Sequence, residues 1–183
     1  MTYNVQPLRT ETEIDDFLFC LRRNKNAHRD VFLFTLGINT GLRMSDLVKL
    51  RKKDIIHSKN PTIVEQKTGK KRTLYLSSLQ ELIKNYTKNL TEDDYLFPNG
   101  KGGHLAVNTV YQMFQKVSTH LGRKDIGTHT LRKTFGYHYY QQTHDIAILM
   151  EIFGHSSEKI TKRYIGINDD EISKTLLNFK LGF

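Results

Sequence analysis

Five side chains that are far apart in this sequence form a pattern that only a particular fold can use. They are Arg43, His129, Arg132, His155 and Tyr164, which supply two guanidiniums, two imidazoles and a phenol. The two histidines and the second arginine stand in the short motifs His-x-x-Arg and Gly-His, and the tyrosine follows nine residues after the second histidine. These groups act together only in a fold that brings the first third of the chain against the last third.

The composition favours one globular domain with a polyanionic partner. A chain of 183 residues with a hydrophobic share of 38% buries a core without disulfides or metals. The net charge is +9 and the isoelectric point is about 9.6, which suits nucleic acid. Charge alone fits solvated lysines equally well.

Membrane and secretory classes are disfavoured by the sequence. Apolar runs stay well below the ~20 residues that span a bilayer, and the polar stretch from Thr2 to Glu13 does not resemble a signal peptide. Cys20 is the single cysteine, so an intrachain disulfide is excluded. The expected location is a reducing cytoplasm, without membrane attachment.

Apolar spacing predicts helices over most of the chain. Thr10 and Glu13 form the sequence signature of a capping box ahead of the first helix. A second helix is expected from near Ala27 to Asn39, stopped by Gly41, and a third capped by Ser45. Further helices are expected after Ser77 or Ser78, and then at about 107–121, 129–141, 145–153, 157–165 and 169–180.

Residues 54–76 have a different character and predict a small antiparallel sheet. Ile55-Ile56, Thr62–Val64 and Thr73–Leu76 fit short strands, with a turn at 67–70 between the last two. The expected fold is therefore α+β and mostly α-helical, in one domain covering 1–183, with 1–9 as a lead-in and about 168–183 as a tail.

The candidate residues suit chemistry on a phosphodiester. Attack at phosphorus places more negative charge on the non-bridging oxygens, and fixed cations stabilise that state. Arginine matches two such oxygens with its planar fork. Clustered carboxylates that would hold magnesium are not apparent, so neither a metal nor another cofactor is expected. Asp46, three residues after Arg43, is placed to accept from a guanidinium.

Each motif is ambiguous when taken alone. His-x-x-Arg also fits a buried histidine beside a surface arginine, Gly-His fits a helix end, and Tyr164 fits a packing role. Lys67 lies on the expected hairpin turn, beside Lys70, Lys71 and Arg72, which suit phosphate contacts or simple solvation. Lys162 and Arg163 likewise contact either DNA or solvent.

The combination resembles the catalytic domain of the tyrosine recombinase (phage integrase) family, from about residue 10 to the end. The resemblance rests on Thr-Gly-Leu-Arg, the Lys-Thr-Gly hairpin, His-Thr-Leu-Arg-Lys-Thr-Phe, and Gly-His-Ser-Ser with its following tyrosine. It implies a site-specific recombinase of integrase or excisionase type that forms a 3′-phosphotyrosine without metal or nucleotide cofactor. In this assignment Tyr164 is the nucleophile, Arg43 and Arg132 clamp the phosphate, Lys67 is the general acid, His129 assists proton transfer, His155 binds the phosphate and Asp46 supports the site.

The resemblance also implies binding partners for this chain, and two alternative functions remain open. It implies double-stranded DNA at a specific site, a monomer that becomes a homotetramer on DNA, accessory DNA-bending proteins, and a bacterial or phage origin with nucleoid association. The family's N-terminal core-binding domain is absent from this pattern, so the sequence is either a fragment of a longer integrase or one of the short recombinases that consist of a catalytic domain alone. An apolar stripe of Ile172, Leu176, Leu177 and Phe179 suits packing on its own domain or on a neighbour. A type IB topoisomerase and a catalytically silent DNA-binding module remain alternatives.

Overall fold

The computed structural model describes residues 5–167, 176–177, 179–180 and 182. Helices dominate it and surround one short hairpin. The helices are α1 Glu11–Leu21, α2 Ala27–Thr40, α3 Met44–Leu47, α4 Lys53–Ile56, α5 Gln80–Thr87, α6 Val107–His120, α7 Thr130–Thr143, α8 Ile146–Phe153 and α9 Glu158–Ile165, with a 3₁₀ turn at Ser77–Leu79 and strands β1 Thr62–Val64 and β2 Lys71–Thr73.

Local capping signals fix the start of α1 and the end of α2 as predicted. The Thr10 hydroxyl accepts from the Glu13 amide at 3.1 Å, and the Glu13 carboxylate accepts from the Thr10 amide at 3.2 Å. α2 ends before Gly41, whose φ of +59° is left-handed. A Cβ at Gly41 would lie 2.4 Å from a ring carbon of Phe135, so both the turn and the close packing require glycine here.

Three sequence predictions about local structure were wrong. Ser45 does not cap α3 but lies inside it, after Arg43 in the N-cap position. Ile55 and Ile56 belong to the short helix α4 rather than to a strand. The second strand covers Lys71–Thr73, earlier than the predicted 73–76.

The sheet is a two-stranded antiparallel hairpin. Ile63 pairs with Arg72, and the flanking pairs are Thr62 with Thr73 and Val64 with Lys71. The Glu65 amide donates to the Lys70 carbonyl at 2.9 Å and closes the loop that carries Lys67. This loop therefore projects from the end of a defined ladder.

Two apolar clusters meet at α7. The larger one is built from α1, α2, α6 and the hairpin region around Phe17, Phe34 and Phe114. The smaller one contains Phe153 and Ile165, from α8 and α9. Leu131 on α7 belongs to the larger cluster, while Phe135, Tyr137 and Tyr139 pack against the smaller one. α7 thus fixes the last two helices against the rest of the domain.

The predicted helix at 169–180 lies largely outside the described residues. Leu176 and Leu177 are helical and exposed, whereas Ile172 is not described. In the part of the chain that the structure describes, no helix combines the length and the apolar character needed to cross a membrane.

Candidate active site

Arg132 lies at the centre of the predicted site and is almost completely buried. Its Nη1 donates to the Gly41 carbonyl at 2.6 Å and its Nη2 to the Phe153 carbonyl at 3.2 Å. The guanidinium also lies 4.4 Å from the centroid of the Phe153 ring. Burial lowers the pKa of Arg132 to about 10, so the group is charged at neutral pH. One side chain of α7 therefore joins the ends of α2 and α8.

Tyr164 on α9 faces His129 at the start of α7. The phenol oxygen lies 3.1 Å from His129 Nδ1, and the two rings meet edge to face. Burial raises the pKa of Tyr164 above 10, although the charges of Arg132 and Arg43 act in the opposite direction. In this arrangement the phenol is protonated at neutral pH.

His155 lies on the other side of the same tyrosine. Its ring centroid is 5.0 Å from that of Tyr164, and its Nδ1 lies 3.0 Å from the Thr161 hydroxyl. Loss of solvent and then the nearby cations, Arg132 among them, lower the pKa values of both His155 and His129. Both imidazoles are therefore neutral at pH 7.

Arg43 is held by a carboxylate that the sequence analysis did not identify. Arg43 Nη1 lies 2.6 Å from Glu65 Oε2, which also accepts from the Thr68 hydroxyl at 2.9 Å. Burial tends to raise the pKa of Glu65, but its bonds with Arg43 and Thr68 produce a net lowering. Asp46, the predicted partner of a guanidinium, is buried and accepts instead from the Gln66 amide at 3.0 Å.

The hairpin brings Lys67 into the same electrostatic environment. Its side chain is exposed, and its charge contributes to the lowered pKa of His129. Lys70 and Lys71 are also exposed and line a cleft of about 630 Å³ with Arg43 and Gly154. The charge of Lys67 therefore acts on the same site as the charges of Arg43 and Arg132.

The predicted DNA contacts divide into two groups. Arg72 points inward: it donates to the carbonyls of Thr40 and Gly41 and lies 3.6 Å from Glu65. Arg163 is exposed, and Lys162 lies 3.3 Å from Glu158, one turn earlier on α9. Arg72 thus contributes to internal packing, while the lysines of the hairpin loop remain accessible.

Residues that the sequence analysis missed support the site from within. They are Glu65, Phe153 and Thr161, each of which contacts a predicted catalytic side chain. Thr161 stands three residues before Tyr164 on one helix, a spacing that places both on the same face. Among residues 5–167 and the described tail positions, no group of three or more His, Cys, Asp or Glu side chains is placed to hold a metal ion.

Comparison with known proteins settles the family. The profile of the phage integrase family matches residues 9–171. The chain belongs to the phage integrase family. The resemblance inferred from the motifs and the predicted fold class are thereby confirmed.

Two individual relatives support the assignment of this chain to the phage integrase family. It is 44% identical over 169 residues to a probable integrase/recombinase, YoeC, of Bacillus subtilis, covering 91% of this chain and 92% of that protein. It is 30% identical over 162 residues to the tyrosine recombinase XerC of Staphylococcus epidermidis, covering 85% of this chain. The match covers 55% of XerC, so the chain spans about half the length of that relative.

Solved structures show the same fold at low sequence identity. The XerA recombinase structure aligns with a TM-score of 0.72 at 21% identity, over 97% of this chain and 65% of that one. The catalytic domain of bacteriophage HP1 integrase aligns with a TM-score of 0.64 at 23% identity, over 96% and 95% of the two chains. The arrangement of helices around the hairpin is therefore that of a tyrosine recombinase catalytic domain.

Proposed function

We propose that this chain is a site-specific DNA recombinase that cleaves and rejoins DNA through a covalent bond between Tyr164 and a 3′-phosphate. The observation that carries the proposal is the position of the Tyr164 hydroxyl, 3.1 Å from His129 and within the electrostatic influence of Arg132 and Arg43. A phenol, a neutral base and two guanidiniums from distant segments of the chain suit attack on a phosphodiester.

The proposed cleavage step is a transesterification. The Tyr164 oxygen forms a bond to phosphorus and loses its proton with the help of His129, while the bond from phosphorus to the 5′ oxygen breaks. Lys67 gives a proton to that leaving oxygen. The phosphodiester energy is kept in the phosphotyrosine, so attack by a 5′-hydroxyl of another strand completes the exchange without a cofactor.

Charge explains how the site stabilises the attack in this proposal. Tyr164 is protonated in the structure, because burial outweighs the nearby cations. A phosphate draws the fork of Arg43 and a donor from His155 onto its oxygens, and charge that develops during attack is stabilised by both arginines. Arg132 already has two protein acceptors, so it supplies a fixed charge near the phosphate.

The proposal also covers the DNA that this chain binds and its assembly on that DNA. Solved relatives include the XerH recombinase bound to its difH substrate and the Tn1549 integrase with circular intermediate DNA. We propose that this chain also binds a specific duplex site, with a net charge of +9 favouring association. The proposal further includes a monomer that forms a tetramer on DNA, accessory DNA-bending proteins and nucleoid association.

A capture experiment tests the proposed chemistry. The protein is incubated with a library of nicked duplexes of random sequence, and covalent adducts are isolated on denaturing gels. We expect adducts with the natural protein and none with Tyr164→Phe, which lacks only the reacting oxygen. Equal yields from both proteins would refute the role of Tyr164.

The same preparation separates the alternatives. Relaxation of supercoiled plasmid without sequence preference would indicate a type IB topoisomerase. Tight sequence-specific binding without any adduct would indicate a silent DNA-binding module.

A further inference from the structure

The segment Val5–Arg9 crosses α7 and is fixed to it by polar contacts; we call it the N-terminal strap. The Leu8 amide donates to the Thr134 hydroxyl at 2.9 Å, and His138 Nε2 lies 3.0 Å from the Leu8 carbonyl. Leu8 is fully buried in the larger apolar cluster. The strap is therefore a packed part of the domain rather than a loose lead-in.

The end of the strap contacts the helix that carries Tyr164. Arg9 Nη2 donates to the Gly166 carbonyl at 3.2 Å, and Gly166 is the C-cap of α9. Gly166 has a φ of +81°, and a Cβ there would lie 2.8 Å from Arg9 Nη2. A side chain at this position would thus strain the backbone and displace the guanidinium.

The beginning of the strap reaches the tyrosine through Lys133. The Lys133 ammonium donates to the Val5 carbonyl at 2.6 Å and lies 5.1 Å from the centroid of the Tyr164 ring. Val5 also packs against Gly127, where a Cβ would lie 2.9 Å from the Val5 side chain. Gly127 is two residues before His129, so both sides of the contact between His129 and Tyr164 adjoin the strap.

We propose that the N-terminal strap is a positioning element for Tyr164, which acts by anchoring the last turn of α9 through Arg9 and the Lys133 ammonium through Val5. The proposal rests on the proposed nucleophilic role of Tyr164. Helix α9 has eight residues, too few for stability without tertiary contacts. A cation that hydrogen-bonds the carbonyl end of such a helix stabilises the turn from which Tyr164 projects.

Hydrogen–deuterium exchange of the full, DNA-free chain tests the anchoring. Arg9→Ala should speed exchange of the amides of residues 158–167 by about tenfold, the effect of losing one hydrogen bond to a charged group, while the amides of α6 are unchanged. Arg9→Lys should give an intermediate rate. The control Arg51→Ala removes an arginine that contacts Asp93 and Tyr95, and it should leave α9 unchanged.

Two outcomes of this exchange experiment would overturn the proposal. In the first, α9 keeps its natural protection in Arg9→Ala, which would show that Arg9 does not anchor it. In the second, all helices lose protection equally, which would show that Arg9 contributes only to global stability.

The rate of adduct formation tests the catalytic consequence. At saturating protein, on a nicked duplex captured from the library, Arg9→Ala should form adduct about tenfold more slowly with an unchanged Kd, because misplacing the reacting oxygen slows chemistry rather than binding. A weaker Kd with an unchanged rate would identify Arg9 as a DNA contact and overturn the proposal. If the natural protein forms no adduct, the proposed function fails, and exchange still decides whether the strap holds α9.

Discussion

Glu65 and Arg43 form a 2.6 Å ion pair that links the hairpin loop to the start of α3. Their side chains are only 8% and 19% exposed, so solvent screens the pair weakly. Because Glu65 also accepts from Thr68, one carboxylate connects the loop that carries Lys67 with the first arginine of the site. The Glu65 carboxylate binds the Arg43 guanidinium as an anionic acceptor, as a phosphate oxygen would.

Replacing Glu65 with glutamine should reveal the strength of this link. Glu65→Gln leaves Arg43 without its opposite charge, and we expect the free energy of unfolding at pH 7 to fall by about 2 kcal/mol. The folded-state pKa of Glu65 is lowered. Its stabilising contribution is therefore present above the unfolded pKa, about 4.3, and lost as pH falls through the folded value. Urea unfolding of the natural protein and Glu65→Gln at pH 7 and pH 3 measures this contribution to the free energy of unfolding.

The matched control is Glu92→Gln, at an exposed pair with His57, for which we expect a change below about 0.5 kcal/mol. If the loss caused by Glu65→Gln were as large at pH 3 as at pH 7, the effect would be one of shape rather than charge.

The hairpin cations should separate into two functional groups. Neutralising Lys70 and Lys71 should weaken DNA binding across sequences and flatten its log–log salt dependence by about 0.9 per lost phosphate contact. Arg72→Gln should instead lower the melting temperature, because its guanidinium donates to the carbonyls at the end of α2. Fluorescence anisotropy between low and high salt measures DNA binding by the lysine variants. Thermal melts measure the stability of Arg72→Gln. A salt slope unchanged by the lysine substitutions would show that the loop does not face DNA.

DNA binding should be coupled to proton uptake by His155. The pKa of His155 is lowered by loss of solvent and then by the neighbouring cations Arg132 and Arg43. A phosphate in the site offsets those cations and raises the pKa of His155, so affinity should increase as pH falls from about 7.5 to 6. Calorimetry of Tyr164→Phe in buffers with different ionisation enthalpies counts the protons.

In that background His155→Gln should reduce the proton count, and His57→Gln, at an exposed surface pair, should not. A heat of binding that is the same in every buffer would contradict the coupling.

Thr161 should determine which ring nitrogen of neutral His155 carries the proton. Its hydroxyl donates to the Ser157 carbonyl at 3.2 Å and lies 3.0 Å from His155 Nδ1. When its single proton points to Ser157, the hydroxyl accepts from a protonated Nδ1. Thr161→Val removes this partner and should slow adduct formation by about tenfold with a shifted pH–rate profile, whereas Thr161→Ser should retain the natural profile.

Nitrogen NMR of His155 provides the direct measurement. The natural protein should show the Nδ1-protonated tautomer, and Thr161→Val should show a mixture. A valine variant with the natural tautomer and rate would exclude this role for Thr161.

Local signals predicted the start of α1 and the end of α2 but misplaced the cap at Ser45, and they predicted short apolar segments poorly. The capping box at Thr10 and the stop at Gly41 depend on a few neighbouring residues, so the sequence is sufficient to predict them. Ile55-Ile56 is too short to show a period. Its conformation depends on Lys52 and Lys53, whose amides donate to the carbonyls of Asp94 and Glu92.

The sequence by itself determined which reactive groups this chain has, their order, and through them the family. Only the tertiary structure decided which groups pair: Glu65 rather than Asp46 on Arg43, Arg72 turned inward, and Arg9 on the end of α9. These contacts join residues 22, 31 and 157 positions apart. Helical and strand periodicity describe only near neighbours, whereas such pairs depend on how whole elements pack.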